Sequence, residues 1–262
     1  MTTHLQNTST TGLVVESPYI WRARRRSARH RLVCFPHAGS GASAFSGWAG
    51  LLGEEVEPVA VQLPGRQNRL LEDPPTEVPP MIEEIVDALL PLTRDLPYSF
   101  FGHSCGALLA YEVTHVLQAR GEVLPRRLFV SAQPSPEEAR KKAKLHHLSE
   151  EEFRAEVLRL GGFDEEVVED EDALEHLLPT VLADFALWEQ HDITLAPPLR
   201  APMTALVGGE DHRAPQELVA GWKDHTSVGY DERVYPGGHF FVFDPGTDAE
   251  VLAYLTDRML TS

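Results

Sequence analysis

The chain has 262 residues, with a hydrophobic share of 42% and a charged share of 24%, which fits one folded domain with a sizeable core. Its net charge of −17 argues against general nucleic-acid binding, because phosphate would be repelled. The two cysteines give neither a disulfide framework nor a metal-ligand spacing. The sequence has no signal peptide and no run near the roughly 18 apolar residues of a membrane helix, so a cytoplasmic protein without metal or membrane contact is predicted.

The N-terminal segment, residues 1–20, is polar at its start and lacks hydrophobic periodicity, so it is predicted to be disordered. A cluster of arginines follows, which is interpreted as a solvated linker or, alternatively, as a docking patch: Arg22, Arg24, Arg25, Arg26, Arg29 and Arg31. Residues 21–262 are predicted to form one domain.

Short apolar runs then alternate with helical patterns, such as the one over 81–92. This alternation predicts an α/β fold with a mostly parallel sheet covered by helices on both faces. The predicted strands are 31–35, 56–63, 98–101, 127–132, 203–209 and 231–238.

Residues 135–193 interrupt this alternation with helical patterns only, separated at Gly161 and Gly162. Pro179 is predicted to bend the second helix or to divide it in two. The position of the segment favours a lid over a pocket, although a plain packing role is the alternative. The apolar residues of that helix recur with helical spacing and predict one buried stripe: Leu174, Leu177, Leu178, Val181, Leu182 and Phe185.

The segment from Gly102 to Gly106 matches the G-x-S-x-G nucleophile elbow, between an apolar strand and a helix. Such a turn holds Ser104 at the helix N-terminus, where developing negative charge is stabilised. Cys105 follows inside the helix and is predicted to supply its backbone N–H to an oxyanion hole. Cys105 as the nucleophile is a weaker alternative, since it would move the turn by one residue.

A serine nucleophile needs a base and an acid that orients the base, and in this architecture the order is Ser, acid, His. His239 follows the last predicted strand in a glycine-rich turn and is the predicted base, with His225 as the weaker candidate. Asp211 follows the strand over 203–209 and is the predicted acid, with Glu210 as the fallback.

The loop over 36–43, after the first predicted core strand, is expected to supply the second oxyanion donor through the N–H of Ala38. The glycines of this loop also fit a dinucleotide-binding fingerprint. That fingerprint needs an acid at the end of the next strand, where this chain has Gln62 and then Arg66. No cofactor is therefore predicted.

Five motifs in order, "LVCFPHAGSGAS", "VQLPGRQNR", "FFGHSCGALLAYEV", "ALVGGEDHRA" and "YPGGHFFV", resemble the type II thioesterases that accompany polyketide synthases and nonribosomal peptide synthetases. The resemblance implies an α/β-hydrolase fold in which 135–193 is the helical lid. It also maps Ser104, Asp211 and His239 onto the family's catalytic triad. The sequence departs from the family at Cys105, where methionine is frequent, and at Ser40, where glycine is usual.

The resemblance implies an enzyme that removes acyl groups from the phosphopantetheine arm of acyl or peptidyl carrier proteins. A monomer is expected. Two basic segments are candidates for docking a carrier protein, 22–31 and 140–144. The first alternative is a small-molecule carboxylesterase, which would use the same triad. A non-catalytic binding protein of the same fold is a more distant alternative, and an NAD(P)-dependent oxidoreductase is disfavoured by the missing acid.

Overall fold

The computed structural model describes residues 12–162 and 165–261. Within these residues eight strands form one sheet: β1 (Val14–Ser17), β2 (Ile20–Arg22), β3 (His30–Phe35), β4 (Val56–Val61), β5 (Tyr98–His103), β6 (Leu128–Ser131), β7 (Met203–Gly208) and β8 (Tyr230–Tyr235). Their order across the sheet is β1-β2-β4-β3-β5-β6-β7-β8. The pairs from β4 to β8 are parallel, whereas β1 and β2 are antiparallel at one edge.

Helices connect the strands: α1 (Ser46–Leu51), α2 (Val78–Leu89), α3 (Cys105–Arg120), α4 (Pro136–Lys141), α5 (Glu150–Leu160), α6 (Glu165–Glu169), α7 (Glu171–Gln190), α8 (Gln216–Val219) and α9 (Thr247–Leu260). In the part of the chain that the structure describes, none of them is long and apolar enough to cross a membrane.

The central strands are buried on both faces, which explains why they read as continuous apolar runs. Along β3, Leu32 and Cys34 belong to a core cluster with α1 and α9, whereas Val33 and Phe35 belong to a cluster with α2 and α3. Successive side chains of a strand point to opposite faces, so the sheet has a helical layer on each side. This confirms the predicted α/β-hydrolase architecture.

The six predicted strands are all present, with ends displaced by at most three residues. The predicted helix over 81–92 is α2, and it begins earlier, at Val78. Pro79 and Pro80 fall in its first turn, where proline is tolerated because the N–H it lacks has no intrahelical partner there.

The predicted disorder of residues 1–20 is wrong where the structure describes this segment, because β1 and β2 form an antiparallel extension of the sheet. Residues 1–11 lie outside the described residues.

The solvated-linker interpretation of the arginine cluster is wrong at Arg22 and Arg31, which pair with the buried carboxylate of Glu57 at 2.9 and 2.7 Å. The pairing joins residues far apart in sequence, which composition alone does not show.

Between β6 and β7 the described residues contain helices and no strand, as predicted for 135–193, which we call the helical insertion. Its helix α7 is continuous through Pro179, so the predicted division does not occur. Leu174, Leu178 and Val181 are buried, but Leu177 and Leu182 are 37% and 38% exposed. The buried stripe is therefore narrower than the sequence pattern predicts.

Candidate active site

The turn between β5 and α3 holds Ser104 in a strained backbone conformation, with φ 54° and ψ −129°. Such a conformation costs on the order of 1–3 kcal/mol and persists only where the surroundings enforce it. A Cβ atom on Gly102 would lie 2.2 Å from the carbonyl oxygen of Gly106, and one on Gly106 would lie 2.2 Å from that of Phe35. Both glycines are therefore required for the close approach of the helix to β3 and β5.

Ser104, His239 and Asp211 form one hydrogen-bonded chain. Nε2 of His239 lies 3.1 Å from Oγ of Ser104, and Nδ1 of His239 lies 2.8 Å from Oδ2 of Asp211. Asp211 follows β7 and His239 follows β8, so neighbouring parallel strands bring the two side chains to one sheet edge. The structure thus brings together the three residues predicted from the sequence, in the arrangement that the chemistry of a serine hydrolase requires.

The environment of Asp211 keeps its carboxylate ionised. Burial alone would raise its pKa, but hydrogen bonds from His239 and from the backbone amides of Ala214 and Arg213 hold that pKa below its ordinary value. The two amides reach Oδ1 at 3.0 and 2.8 Å and leave Oδ2 for the imidazole. An ionised carboxylate in this position favours the His239 tautomer with its proton on Nδ1.

The alternative residues lie elsewhere or in unsuitable surroundings. His225 is buried between Tyr111 and Glu137, at 2.8 and 2.6 Å from their oxygen atoms, and has no contact with Ser104. Glu210 is exposed. Burial and the nearby carboxylate of Asp184 raise the pKa of the Cys105 thiol, which disfavours the thiolate that a cysteine nucleophile needs.

The two predicted oxyanion donors flank Ser104. Cys105 is the first residue of α3, so its amide has no acceptor within the helix. Ala38 lies in the loop after β3, and both residues line the same cavity as Ser104. The positions suit two backbone N–H groups that face a carbonyl oxygen at Ser104.

Two cavities meet at Ser104 and His239. One, of about 300 Å³, has a border with four basic side chains, Arg140, Lys142, Lys144 and Arg213, and three acidic ones, Asp184, Glu189 and Asp192. The other, of about 740 Å³, runs under the helical insertion and has a mixed lining, with the apolar side chains Leu177, Val181, Phe240 and Phe243 and the polar side chains Ser40, Gln67 and Asp244. Phe185 of α7 borders both cavities and stands where they join.

Sequence reasoning missed an ion pair that fastens the helical insertion to the loop carrying Ala38. Asp184 of α7 is 3% exposed, and its Oδ1 accepts a hydrogen bond from Nη2 of Arg66 at 2.9 Å. Its Oδ2 accepts from the amide of Gly39 at 2.8 Å. The sequence signal for this contact was an acidic residue within the apolar face of a predicted helix. A carboxylate in such a position is buried only when it has ion-pair or hydrogen-bond partners.

Within the described residues no group of three or more His, Cys, Asp or Glu side chains could hold a metal ion.

A nucleophile elbow on a mostly parallel sheet with helices on both faces defines the α/β-hydrolase class. The arrangement of Ser104, His239 and Asp211 is that of a serine hydrolase of this class.

Comparison with known proteins identifies the family. The model of the thioesterase domain matches residues 30–256. The chain is 38% identical to the thioesterase PikA5 of Streptomyces venezuelae over 232 residues, which cover 88% of this chain and 82% of that protein. It is 40% identical to the structure of RedJ, a thioesterase from the prodiginine pathway of Streptomyces coelicolor, with a TM-score of 0.83 and coverage of 94% and 96%.

The structure of BorB, a type II thioesterase from the borrelidin biosynthetic cluster, also has a TM-score of 0.83, at 30% identity, and covers 94% of this chain and 99% of BorB. The chain belongs to the thioesterase family, and the resemblance seen in its sequence motifs is confirmed.

Proposed function

We propose that this protein is a type II thioesterase that hydrolyses acyl groups from the phosphopantetheine arm of acyl or peptidyl carrier proteins in polyketide or nonribosomal peptide synthesis. The hydrogen-bonded chain of Ser104, His239 and Asp211, at the junction of two cavities, carries the proposal. The origins of RedJ in the prodiginine pathway and of BorB in the borrelidin biosynthetic cluster support the substrate class.

In the acylation step, His239 accepts the proton of Ser104 as Oγ attacks the thioester carbonyl carbon. The carbonyl oxygen becomes an oxyanion that faces the amides of Ala38 and Cys105. The carbon–sulfur bond then breaks, and the proton held on Nε2 of His239 passes to the departing sulfur of the arm. Asp211 stabilises the charged imidazole throughout.

In the deacylation step, His239 takes a proton from a water molecule that attacks the acyl carbon bound to Ser104. The bond to Oγ breaks, and Oγ recovers the proton from His239. The products are a free carboxylic acid and the thiol of the arm. Removing one oxyanion donor from such a site typically costs about 3 kcal/mol of transition-state stabilisation.

We assign the cavity of about 740 Å³ to the acyl group, because Leu177, Val181 and Phe240 offer it apolar contacts, and the cavity of about 300 Å³ to the arm. The arm carries a phosphate, which suits Lys142 and Lys144 at the border of the smaller cavity. The carrier protein itself is expected to dock at 140–144, because Lys142 and Lys144 border that cavity. The other candidate segment, 22–31, is less suited, since Arg22 and Arg31 are already paired with Glu57.

The helical insertion is proposed to act as the lid. Its helix α7 contributes Val181 and Phe185 to the cavity walls above Ser104, so the arm enters beside or beneath it. The role of such an enzyme is editing, meaning the removal of stalled or wrongly loaded acyl groups.

The test compares one medium-length acyl group as a thioester on a carrier protein, as a thioester on a short thiol and as an oxygen ester. The proposal expects kcat/KM to be highest with the carrier protein, because remote binding energy assists the reaction at the thioester. The Ser104→Ala variant measures the background for each substrate. A preference for the oxygen ester without gain from the carrier protein would instead identify a carboxylesterase.

A further inference from the structure

Asp184 connects the helical insertion to the loop over 36–41, which we call the oxyanion loop. Besides the contacts of Asp184 to Gly39 and to Nη2 of Arg66, Nη1 of Arg66 lies 2.5 Å from Oδ2 of Asp184. The same Nη1 also donates to the carbonyl oxygen of Ser40 at 3.3 Å. The oxyanion loop is thus held by its amide at Gly39 and by its carbonyl at Ser40, both through one buried ion pair.

A second contact brings α7 against the same loop. Gly39 has φ +76°, and a Cβ atom there would lie 2.4 Å from Cγ2 of Val181. The backbone of the loop therefore packs directly on α7, and Val181 and Asp184 lie one turn apart on the helix face that contacts it. A displacement of α7 would remove both contacts together.

We infer that Asp184 is a positioning residue, which fixes the oxyanion loop in its active arrangement only while α7 covers the site. Ala38 immediately precedes Gly39, so the hydrogen bond from Gly39 to Asp184 fixes the peptide next to the proposed oxyanion donor. When the helical insertion opens for the arm, the amide of Gly39 loses its acceptor and the loop is released. Hydrolysis then requires closure, which is a form of induced fit. This inference rests on the proposed function, because Ala38 matters only if Ser104 attacks the thioester.

The test uses Asp184→Ala and Asp184→Asn with a single acyl thioester. Removing the carboxylate is expected to lower kcat about 10- to 100-fold, less than deletion of a whole oxyanion donor. KM should change less than kcat, because Asp184 is one residue of the arm cavity and does not line the acyl cavity. Asp184→Asn retains an acceptor for Gly39 and should recover part of the kcat.

Glu112→Ala is the matched control. Glu112 is a buried carboxylate of α3 that accepts hydrogen bonds from the amide and hydroxyl of Thr194 at 2.6 and 2.8 Å. Its loss removes a comparable buried anchor at Thr194, directly after the helical insertion, without a contact to the oxyanion loop. This variant should therefore lower the midpoint of thermal unfolding but leave kcat unchanged.

Binding of an alkyl boronic acid separates positioning from a merely structural role. Boronates form a tetrahedral adduct with a serine nucleophile, so their inhibition constant reports on the oxyanion donors. The constant should rise in Asp184→Ala by the same factor by which kcat falls, and should not change in Glu112→Ala. If Asp184→Ala does not fold, the same comparison is made with Asp184→Asn, for which smaller changes in kcat and in the inhibition constant are expected.

Hydrogen exchange gives a readout independent of turnover. The amides of 38–41 should exchange faster in either Asp184 variant, while those of β5 keep their wild-type rates. The inference is overturned if Asp184→Ala and Glu112→Ala both lose thermal stability but keep wild-type kcat and boronate inhibition. An active Ser104→Ala variant would contradict the proposed function itself, which distinguishes the two failures.

Discussion

The sheet edge that carries Ser104, Asp211 and His239 is held in a different way from the helical insertion that covers it. At the sheet edge, backbone groups fix the side chains, as when the amides of Arg213 and Ala214 hold Asp211. The elbow is fixed likewise, since the amide of Ser104 donates to the carbonyl oxygen of Ser131 at 2.8 Å. The first contact lies in the turn directly after β7, and the second joins the end of β5 to the end of β6.

The helical insertion is held mainly by side chains, many of which contact one another. It has a small apolar cluster of its own: Leu145, Phe153, Val157, Leu178 and Val181. Arg154 and Glu171 form an ion pair within it at 2.8 Å, and Glu171 is 70% exposed on its side chain. Exposed pairs of this kind contribute about 0–1 kcal/mol, so they add little to the attachment. From this comparison we expect the reacting groups to be held by the sheet edge, and the helical insertion to act on substrate choice and, through Asp184, on the oxyanion loop.

The largest effect is expected at the sheet edge, with Ser104→Ala. Loss of the nucleophile should lower kcat by roughly 10⁴- to 10⁶-fold without a change in the fold, because the serine side chain contributes no core packing. Measurement of thioester hydrolysis together with thermal unfolding checks both points. Cys105→Ala is the neighbouring control and should retain most activity, since only the backbone of Cys105 is assigned a role.

A slightly smaller loss is expected for Asp211→Asn. The amide cannot stabilise the imidazolium and favours the wrong tautomer, so kcat should fall by about 10³- to 10⁴-fold. Glu210→Gln changes the adjacent, exposed acid and should leave kcat at the wild-type level. If the two variants lost activity equally, the acid would be misassigned.

In the helical insertion, Phe185→Ala should alter substrate choice more than rate. Phe185 borders both cavities at their junction, so its removal widens the junction and gives longer acyl chains more room. The ratio of kcat/KM for long over short acyl groups should rise about tenfold, the scale of one or two methylene groups in a pocket. Leu182→Ala, which truncates an exposed side chain of the same helix, should not change that ratio.

The smallest expected effect concerns Lys142, at the border of the arm cavity. Burial, together with repulsion by Arg213, lowers the pKa of Lys142 to about 8. The lysine is charged below that pH and neutral above it, so attraction for a phosphate on the arm declines as the pH rises through 8.

The preference for a phosphorylated arm over an unphosphorylated one should accordingly fall about threefold to fivefold across this range, the size of one partly exposed ion contact. The ratio of kcat/KM values at pH 7 and pH 9 measures it. Lys142→Met should remove the pH dependence of the ratio. Lys141→Met should preserve it, since the adjacent Lys141 is 67% exposed on its side chain and pairs with Glu138.

The same division between the two regions determines what the sequence predicts. Ser104 lies in a local pattern, since the elbow depends on glycines two residues away on each side. Asp211 and His239 follow predicted strands, and parallel strand ends meet at one edge of the sheet. The α/β-hydrolase fold and the residues of the candidate triad were therefore within reach of sequence reasoning.

The contacts that the sequence did not predict are long-range side-chain pairs. Arg66 and Asp184 are 118 positions apart, and no local pattern relates them. The strand β1 was missed because it lies at the sheet edge, where Val14 and Val15 are 44% and 53% exposed and so give no alternation of buried and exposed residues. The partner of Asp184 and the strand that pairs with β1 are determined by the fold, and not by the residues next to them in sequence.

The placement of the helical insertion in the chain has a consequence for engineering. Its ends lie after β6 and before β7, so Ser104 precedes it and both Asp211 and His239 follow it. The segment can therefore be exchanged for that of a relative as a single cassette, without cutting between β7 and β8. A transplanted cassette must bring a carboxylate to the position of Asp184, because Arg66 and Gly39 remain behind in the recipient. Chimeras that meet this requirement would give enzymes with a common reaction centre and interchangeable acyl preferences.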